Sequence, residues 1–213
     1  MLNLANLIFF KNSYIKANLN KLKSYNKFHK SIIKTKSNNN RTIYTEPLDI
    51  RRILTVTPAR FVPEQIERPD YMRKNFVQPK KERSIVKNQE DLQNFRYACN
   101  VAAGAVKLGM ESAKEGLSTD DIDKIIHDYI IQHEAYPSAI GYMGFPKSLC
   151  TSVNETVCHG IPNGRKLKNG DYLNMDVTVY YKGFHGDTSG MALIGEVHPD
   201  IQKLVLIYNS RLV

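Results

Sequence analysis

An α+β protein is predicted, from two observations. Between about Asn88 and Ile130 apolar residues recur at three and four, the period of helices. From Leu173 the pattern changes to strict alternation, the period of a half-buried strand, and a turn at Tyr181-Lys182-Gly183 leads into a second strand.

The chain opens on a leader with its own chemistry. Residues 1–45 hold eight Lys, one Arg and no acidic residue, so they account for the whole net charge of +9. On a helix Leu4, Ile8, Ile15, Leu19 and Leu22 form one stripe, flanked by Lys16, Lys21 and Lys23 and broken by Lys11. An acid-free, basic, amphipathic leader reads as a mitochondrial transit peptide. The alternative is a basic cytoplasmic tail that touches ribosomal RNA. Leu7 to Phe10 is too short to span a membrane. The other 168 residues balance 21 basic against 21 acidic side chains, which gives no electrostatic case for nucleic-acid binding. Cys99, Cys150 and Cys158 are too few for a disulfide framework and have no Cys-x-x-Cys spacing.

Residues 46–87 carry Pro47, Pro58, Pro63, Pro69 and Pro79, five of the nine prolines, and read as an extended arm for which a simple linker is an adequate description. The first helix places Leu92, Phe95, Cys99, Ala102, Val106 and Met110 on its apolar stripe, with Cys99 as a buried thiol and Gly116 as the stop. Ser118 and Asp121 have the spacing of a capping box. The second helix buries Ile122, Ile125, Ile126, Tyr129 and Ile130, with His127 and His133 read as ordinary surface or helix-end residues. Ala135 to Tyr142 is turn-rich. Strands are expected near Leu149–Val153 and Glu155–His159, and a final helix from about His198 to Asn209, with Leu204, Ile207 and Tyr208 inward.

Chemistry concentrates between Phe145 and Met191. Asp176 and Asp187 lie on the two strands of the hairpin, opposite or diagonal to each other, with Cβ atoms roughly 5–8 Å apart. The register depends on where the turn centres. Like charges this close are destabilising without a cation between them, and two-metal hydrolases hold their ions about 3.5–4 Å apart. Spacing alone equally allows a solvated hairpin with two exposed carboxylates. Cys150, followed by Thr and Ser, has no base at a spacing that would make it a nucleophile.

Phe145-Pro146-Lys147-Ser148, Cys150-Thr151-Ser152-Val153-Asn154-Glu155, Cys158-His159-Gly160-Ile161-Pro162, Asn174-Met175-Asp176-Val177-Thr178-Val179 and His185-Gly186-Asp187-Thr188 together resemble the type I methionine aminopeptidases of the M24 peptidases. The resemblance covers roughly residues 55 to 210, and the leader points to their mitochondrial branch. It implies the pita-bread fold of two pseudo-symmetric halves, with residues 88–213 matching the first. It implies two divalent metals (Co, Mn, Fe or Zn), Asp176 and Asp187 as ligands, and His159 as the catalytic histidine that hydrogen-bonds the substrate amide. Tyr142, Phe145 and Cys150 match the wall of the methionine pocket, where sulfur–aromatic contacts favour a thioether. His185 is read as a brace for the hairpin.

The family's remaining ligands, one His and two Glu, have no counterpart here, and Ala192 replaces a common aromatic. The sequence is therefore expected to be an N-terminal part, inactive alone, of an enzyme that removes the initiator Met. Implied partners are nascent polypeptides with N-terminal Met, with the ribosome as a further candidate, and a monomeric state when complete. Two alternatives stay open: a prolidase or Xaa-Pro aminopeptidase relative, and a non-catalytic peptide binder.

Overall fold

The computed structural model describes residues 56–72, 86 and 88–210. The leader, with its stripe from Leu4 to Leu22, lies outside the described residues, as do Pro47, Pro79 and the side chain of Tyr208. Helix α1 (Gln89–Ser112) and helix α2 (Thr119–Gln132) precede an antiparallel sheet. Its strands are β1 (Tyr136–Pro137), β2 (Cys150–Val153), β3 (Tyr172–Tyr181) and β4 (Phe184–Leu193), and helix α3 (Pro199–Ser210) follows. Strand β3 is central: β1 and β2 pair with successive stretches of one edge and β4 with the other. Among the described residues no helix is long and apolar enough to cross a membrane.

The helices begin where their caps dictate. The Asn88 side chain accepts from the amide of Asp91, and Ser118 and Asp121 form the expected reciprocal capping box. Helix α2 buries Ile122, Ile126 and Ile130 as expected. Helix α1 differs from expectation. It ends at Ser112, with Gly116 in the following turn, and it buries Ala98, Val101, Ala102, Ala105, Val106 and Gly109. Phe95 and Met110 are each 38 % exposed, and Cys99 is half-buried.

The reason lies across the interface. A Cβ on Gly186 of β4 would overlap the Ala98 carbonyl carbon and the Cys99 amide nitrogen. One on Gly190 would lie 2.7 Å from Val106 Cγ1 and Met110 Sδ. At Gly186 the two backbones come so close that only small residues fit, while over Gly190 the side chains of Val106 and the part-exposed Met110 fill the space that its missing Cβ leaves. The core beneath α1 and α2 is completed by Leu173, Met175, Val177 and Val179, the alternate residues of β3.

Two other expectations fail. Glu155–His159 is a loop, because Asn154 and His159 adopt left-handed backbone angles (φ 52° and 53°) that break a strand. In α3 the inward residues are Ile201 and Val205, one turn apart, while Leu204 and Ile207 are 62 % and 45 % exposed.

The Pro-rich arm is no simple linker. Val62 and Ile66 are buried in a second apolar cluster with Tyr136, Ile140 and Tyr180. Beside it runs a balanced ionic network. Arg60 Nε donates to Asp123 Oδ2 at 2.9 Å and its Nη2 to Asp120 Oδ2 at 3.0 Å. Lys147, fully buried, donates to Asp120 and to Thr57 Oγ1. The Ser148 amide donates to Asp123 Oδ1 at 2.7 Å. Removing one partner of such a buried set costs about 3–5 kcal/mol. Lys147-Ser148 of the motif block therefore serves to clamp the arm to α2.

His127 belongs to this clamp rather than to the surface. It is 4 % exposed, with Nδ1 2.8 Å from Ser148 Oγ and Nε2 3.0 Å from the Phe61 carbonyl. His133, by contrast, caps the end of α2 as expected. Burial holds the His127 imidazole below its ordinary pKa of 6.5, although the Phe61 carbonyl and Asp123 pull the other way. With the folded pKa depressed, the unfolded chain binds more protons as pH falls below about 6.5, so stability is full above that value and lost beneath it. Urea midpoints followed from pH 7.5 to 5 should fall more for the wild type than for His127→Gln; parallel profiles would contradict the buried neutral imidazole.

Candidate metal centre on the outer face of the sheet

The hairpin turn centres on Lys182-Gly183, both at positive φ (43° and 90°), and Tyr181 pairs with Phe184. That settles the register. Asp187 faces Thr178, and Asp176 faces Ser189, so the two carboxylates are diagonal neighbours. On the other edge of β3 Asp176 faces Cys150. Because opposed residues share a face, Cys150, Asp176, Thr178, Asp187 and Ser189 all point away from α1.

The electrostatics of the pair follow from this placement. Burial raises the Asp176 carboxyl above its ordinary pKa, and the Asp187 carboxylate, within hydrogen-bond reach, raises it further. His159 pulls it in the opposite direction, which places the imidazole within electrostatic range of Asp176. Thr178 Oγ1 donates to Asp187 Oδ1 at 3.0 Å and so orients that carboxylate. Burial pushes the Cys150 thiol up to about 11, with Asp176, Cys158 and Asp187 adding to the effect. A thiol held in its neutral form is a poor nucleophile, in keeping with the lack of a base at a suggestive spacing from Cys150.

The loop after β2 delivers His159. The Thr151 amide donates to the Gly160 carbonyl at 2.7 Å, and a Cβ at Gly160 would overlap the Thr151 carbonyl. This close approach presses the loop onto the β2 edge and leaves His159 exposed, with its left-handed backbone as the price. Asn154, which tolerates the same conformation, accepts from the Tyr172 amide at 3.0 Å and donates to Asp171 at 2.7 Å.

Tyr142 lies in a 3₁₀ turn (Tyr142–Gly144), and the Phe145 amide closes that turn onto the Tyr142 carbonyl at 2.9 Å. His185 braces the hairpin as expected: its Nδ1 is 2.9 Å from Ser138 Oγ, beyond the end of β1. Sequence reasoning missed Tyr71 of the arm. Its ring meets Tyr142 edge-on at 5.3 Å and stacks on His185 at 6.4 Å. No local signal marks it, because its contacts come from segments far along the chain.

The donor set fits a divalent metal. Two carboxylates converge on one sheet face with no Lys or Arg paired to either among the described residues, which is the chemistry a hard or borderline cation requires. It is only part of a site, since no group of three or more candidate ligands gathers among the described residues.

Residues 93–210 match the model of metallopeptidase family M24. The chain belongs to that family. It is 47 % identical over 150 residues to the mouse protein named methionine aminopeptidase 1D, mitochondrial, covering 70 % of this chain and 45 % of the relative. The zebrafish protein of the same name is 49 % identical over 150 residues, covering 70 % and 44 %. Among solved structures, the methionine aminopeptidase of Rickettsia prowazekii superposes with a TM-score of 0.57 at 38 % identity, covering 60 % of this chain and 52 % of that one. The Thermotoga maritima methionine aminopeptidase gives 0.57 at 26 %, covering 59 % and 51 %. The described M24 residues are thus part of a pita-bread fold, and the chain spans about half the length of these relatives.

Proposed function

We propose that the protein carrying this sequence is a metal-dependent methionine aminopeptidase that removes the initiator Met from nascent chains. The observation that carries the reading is the diagonal pair Asp176 and Asp187, unneutralised on the face that also holds Cys150 and lies within range of His159. Bound divalent metals supply Lewis-acid polarisation of the scissile carbonyl and acidify a water. Asp176 and Asp187 would hold them, and Thr178 would fix the orientation of Asp187. His159 would hydrogen-bond the substrate amide, a task for an imidazole able to donate or accept near neutral pH. Tyr142, Phe145 and Cys150 would enclose the Met side chain, and the neutral thiol of Cys150 suits an apolar wall. By resemblance the ions are Co, Mn, Fe or Zn, and one His and two Glu complete their shell.

The product of the complete transcript, supplied with Mn²⁺ or Co²⁺, should release Met from Met-Ala-Ser and leave Ala-Pro peptides intact. Asp176→Asn should lower kcat/KM by more than the roughly 10–100-fold typical of losing an outer-shell partner. Cleavage of the Pro peptide alone would favour a prolidase and refute the assignment.

We further propose three segments: a mitochondrial transit leader at 1–45, the arm at 46–87, and the first half of the catalytic domain at 88–213. The acid-free leader and the mitochondrial names of the mouse and zebrafish relatives support that destination. Residues 1–45 fused to a fluorescent reporter should direct it to mitochondria, and Ile8→Asp with Leu19→Asp should abolish import. Uniform cytosolic fluorescence of the unmutated fusion would leave the basic-tail alternative standing.

A further inference from the structure

We propose that Tyr71, brought in by the arm, is a positioning residue for the candidate substrate pocket, holding Tyr142 and His185 in place. Four observations converge on it. Tyr71 donates its hydroxyl to the Ser138 carbonyl, which fixes the ring at its far end. The ring meets Tyr142 at 78° with centroids 5.3 Å apart, the edge-to-face arrangement that aromatic quadrupoles favour. The same ring lies nearly parallel to His185, at 22° and 6.4 Å. Ser138 joins the two, because its Oγ is 2.9 Å from His185 Nδ1.

The neighbouring residue strengthens the seat. Gly141, immediately before Tyr142, has the Met72 thioether packed over its Cα, so that any Cβ there would overlap the sulfur. Tyr71 and Met72 together occupy a 3₁₀ turn (Asp70–Met72), so one short turn contacts both Gly141 and the Tyr142 ring. Tyr142 itself is 52 % exposed, and its turn contains Met143 in a left-handed conformation. Among the described residues, the aromatic ring that meets this half-exposed side chain is that of Tyr71. The arm, in turn, is anchored at its other end by Arg60 and Lys147. Tyr71 therefore acts on substrate through Tyr142, and its effect is to keep an aromatic surface in register for a flexible, polarizable thioether.

The consequence for substrate rests on the methionine reading above; the positioning of the two rings does not. The test uses the full chain with ¹³C-labelled His and Tyr, comparing wild type with Tyr71→Phe, Tyr71→Leu and Tyr71→Ala. Loss of the ring in the Leu and Ala variants should shift the His185 and Tyr142 ring resonances, while Tyr71→Phe, which keeps the ring contacts and loses the bond to Ser138, should shift them in the same direction by a smaller amount. The Leu variant retains apolar bulk and serves where the Ala variant does not fold. Calorimetric affinity for Met-Ala-Ser should weaken about 3–10-fold in the Leu and Ala variants and by less in the Phe variant, which keeps the ring contacts but not the hydrogen bond to Ser138. Unmoved His185 and Tyr142 resonances in a folded Leu or Ala variant would overturn the proposal. So would an unchanged affinity. Failure of the wild-type chain to bind Met-Ala-Ser would count against the methionine pocket alone, and the ring resonances would still decide the role of Tyr71.

Discussion

Strand β4 has to satisfy two partners at once, and the rest of the architecture follows from how it does so. Its inward positions include Gly186 and Gly190, which let α1 descend until backbone meets backbone at Ala98 and Cys99. Its outward positions carry His185, Asp187 and Ser189, the chemistry of the exposed face. Alternation along one strand thus fixes both the small-residue seam of α1 and the facing of the carboxylates. A one-residue slip against β3 would turn Asp187 into the seam and a glycine outward, so the steric demand of α1 also specifies the register of the site.

Charge is handled differently at the arm clamp and on the β3–β4 hairpin. Arg60 and Lys147 are matched by Asp120 and Asp123, largely out of solvent, with their hydrogen bonds satisfied. Such a set contributes specificity of docking more than net stability, since desolvation offsets much of the Coulomb attraction. Asp176 and Asp187 have no such balance among the described residues, and burial together with the Asp187 charge raises the pKa of Asp176. A carboxylate pair whose repulsion is relieved by a proton or a cation supports the metal site proposed for this face.

Local features were legible in the sequence: the capping box at Ser118, the alternation of β3, the turn before Phe184 and the closeness of Asp176 to Asp187 across the hairpin, though not which of the opposite or diagonal placements it takes. The site residues Cys150 and His159 were reached through motif resemblance, and the structure brings both to the vicinity of Asp176. What stayed hidden was long-range. His127 finds the Phe61 carbonyl across 66 residues, Lys147 finds Thr57 across 90, and Tyr71 finds Ser138 across 67. No period or spacing reports such partners. The stripe of α1 was right at Ala102 and Val106, which are buried, and wrong at its ends for a related reason: hydrophobicity favoured Phe95 and Met110, whereas the close approach of Gly186 to the backbone of Ala98 and Cys99 shifts burial to Ala98, Val101 and Ala105.

The central claim is that the outer face of the β3–β4 hairpin is a metal-binding face. Titrating the chain with Mn²⁺ while recording amide and side-chain resonances tests it most directly, because the paramagnetic ion broadens only its neighbours. Broadening centred on Asp176 and Asp187, extending to Cys150 and His159 and abolished by Asp176→Asn with Asp187→Asn, is the expected result. Broadening centred on the Asp120 and Asp123 cluster, or none on the hairpin at millimolar Mn²⁺, would contradict it.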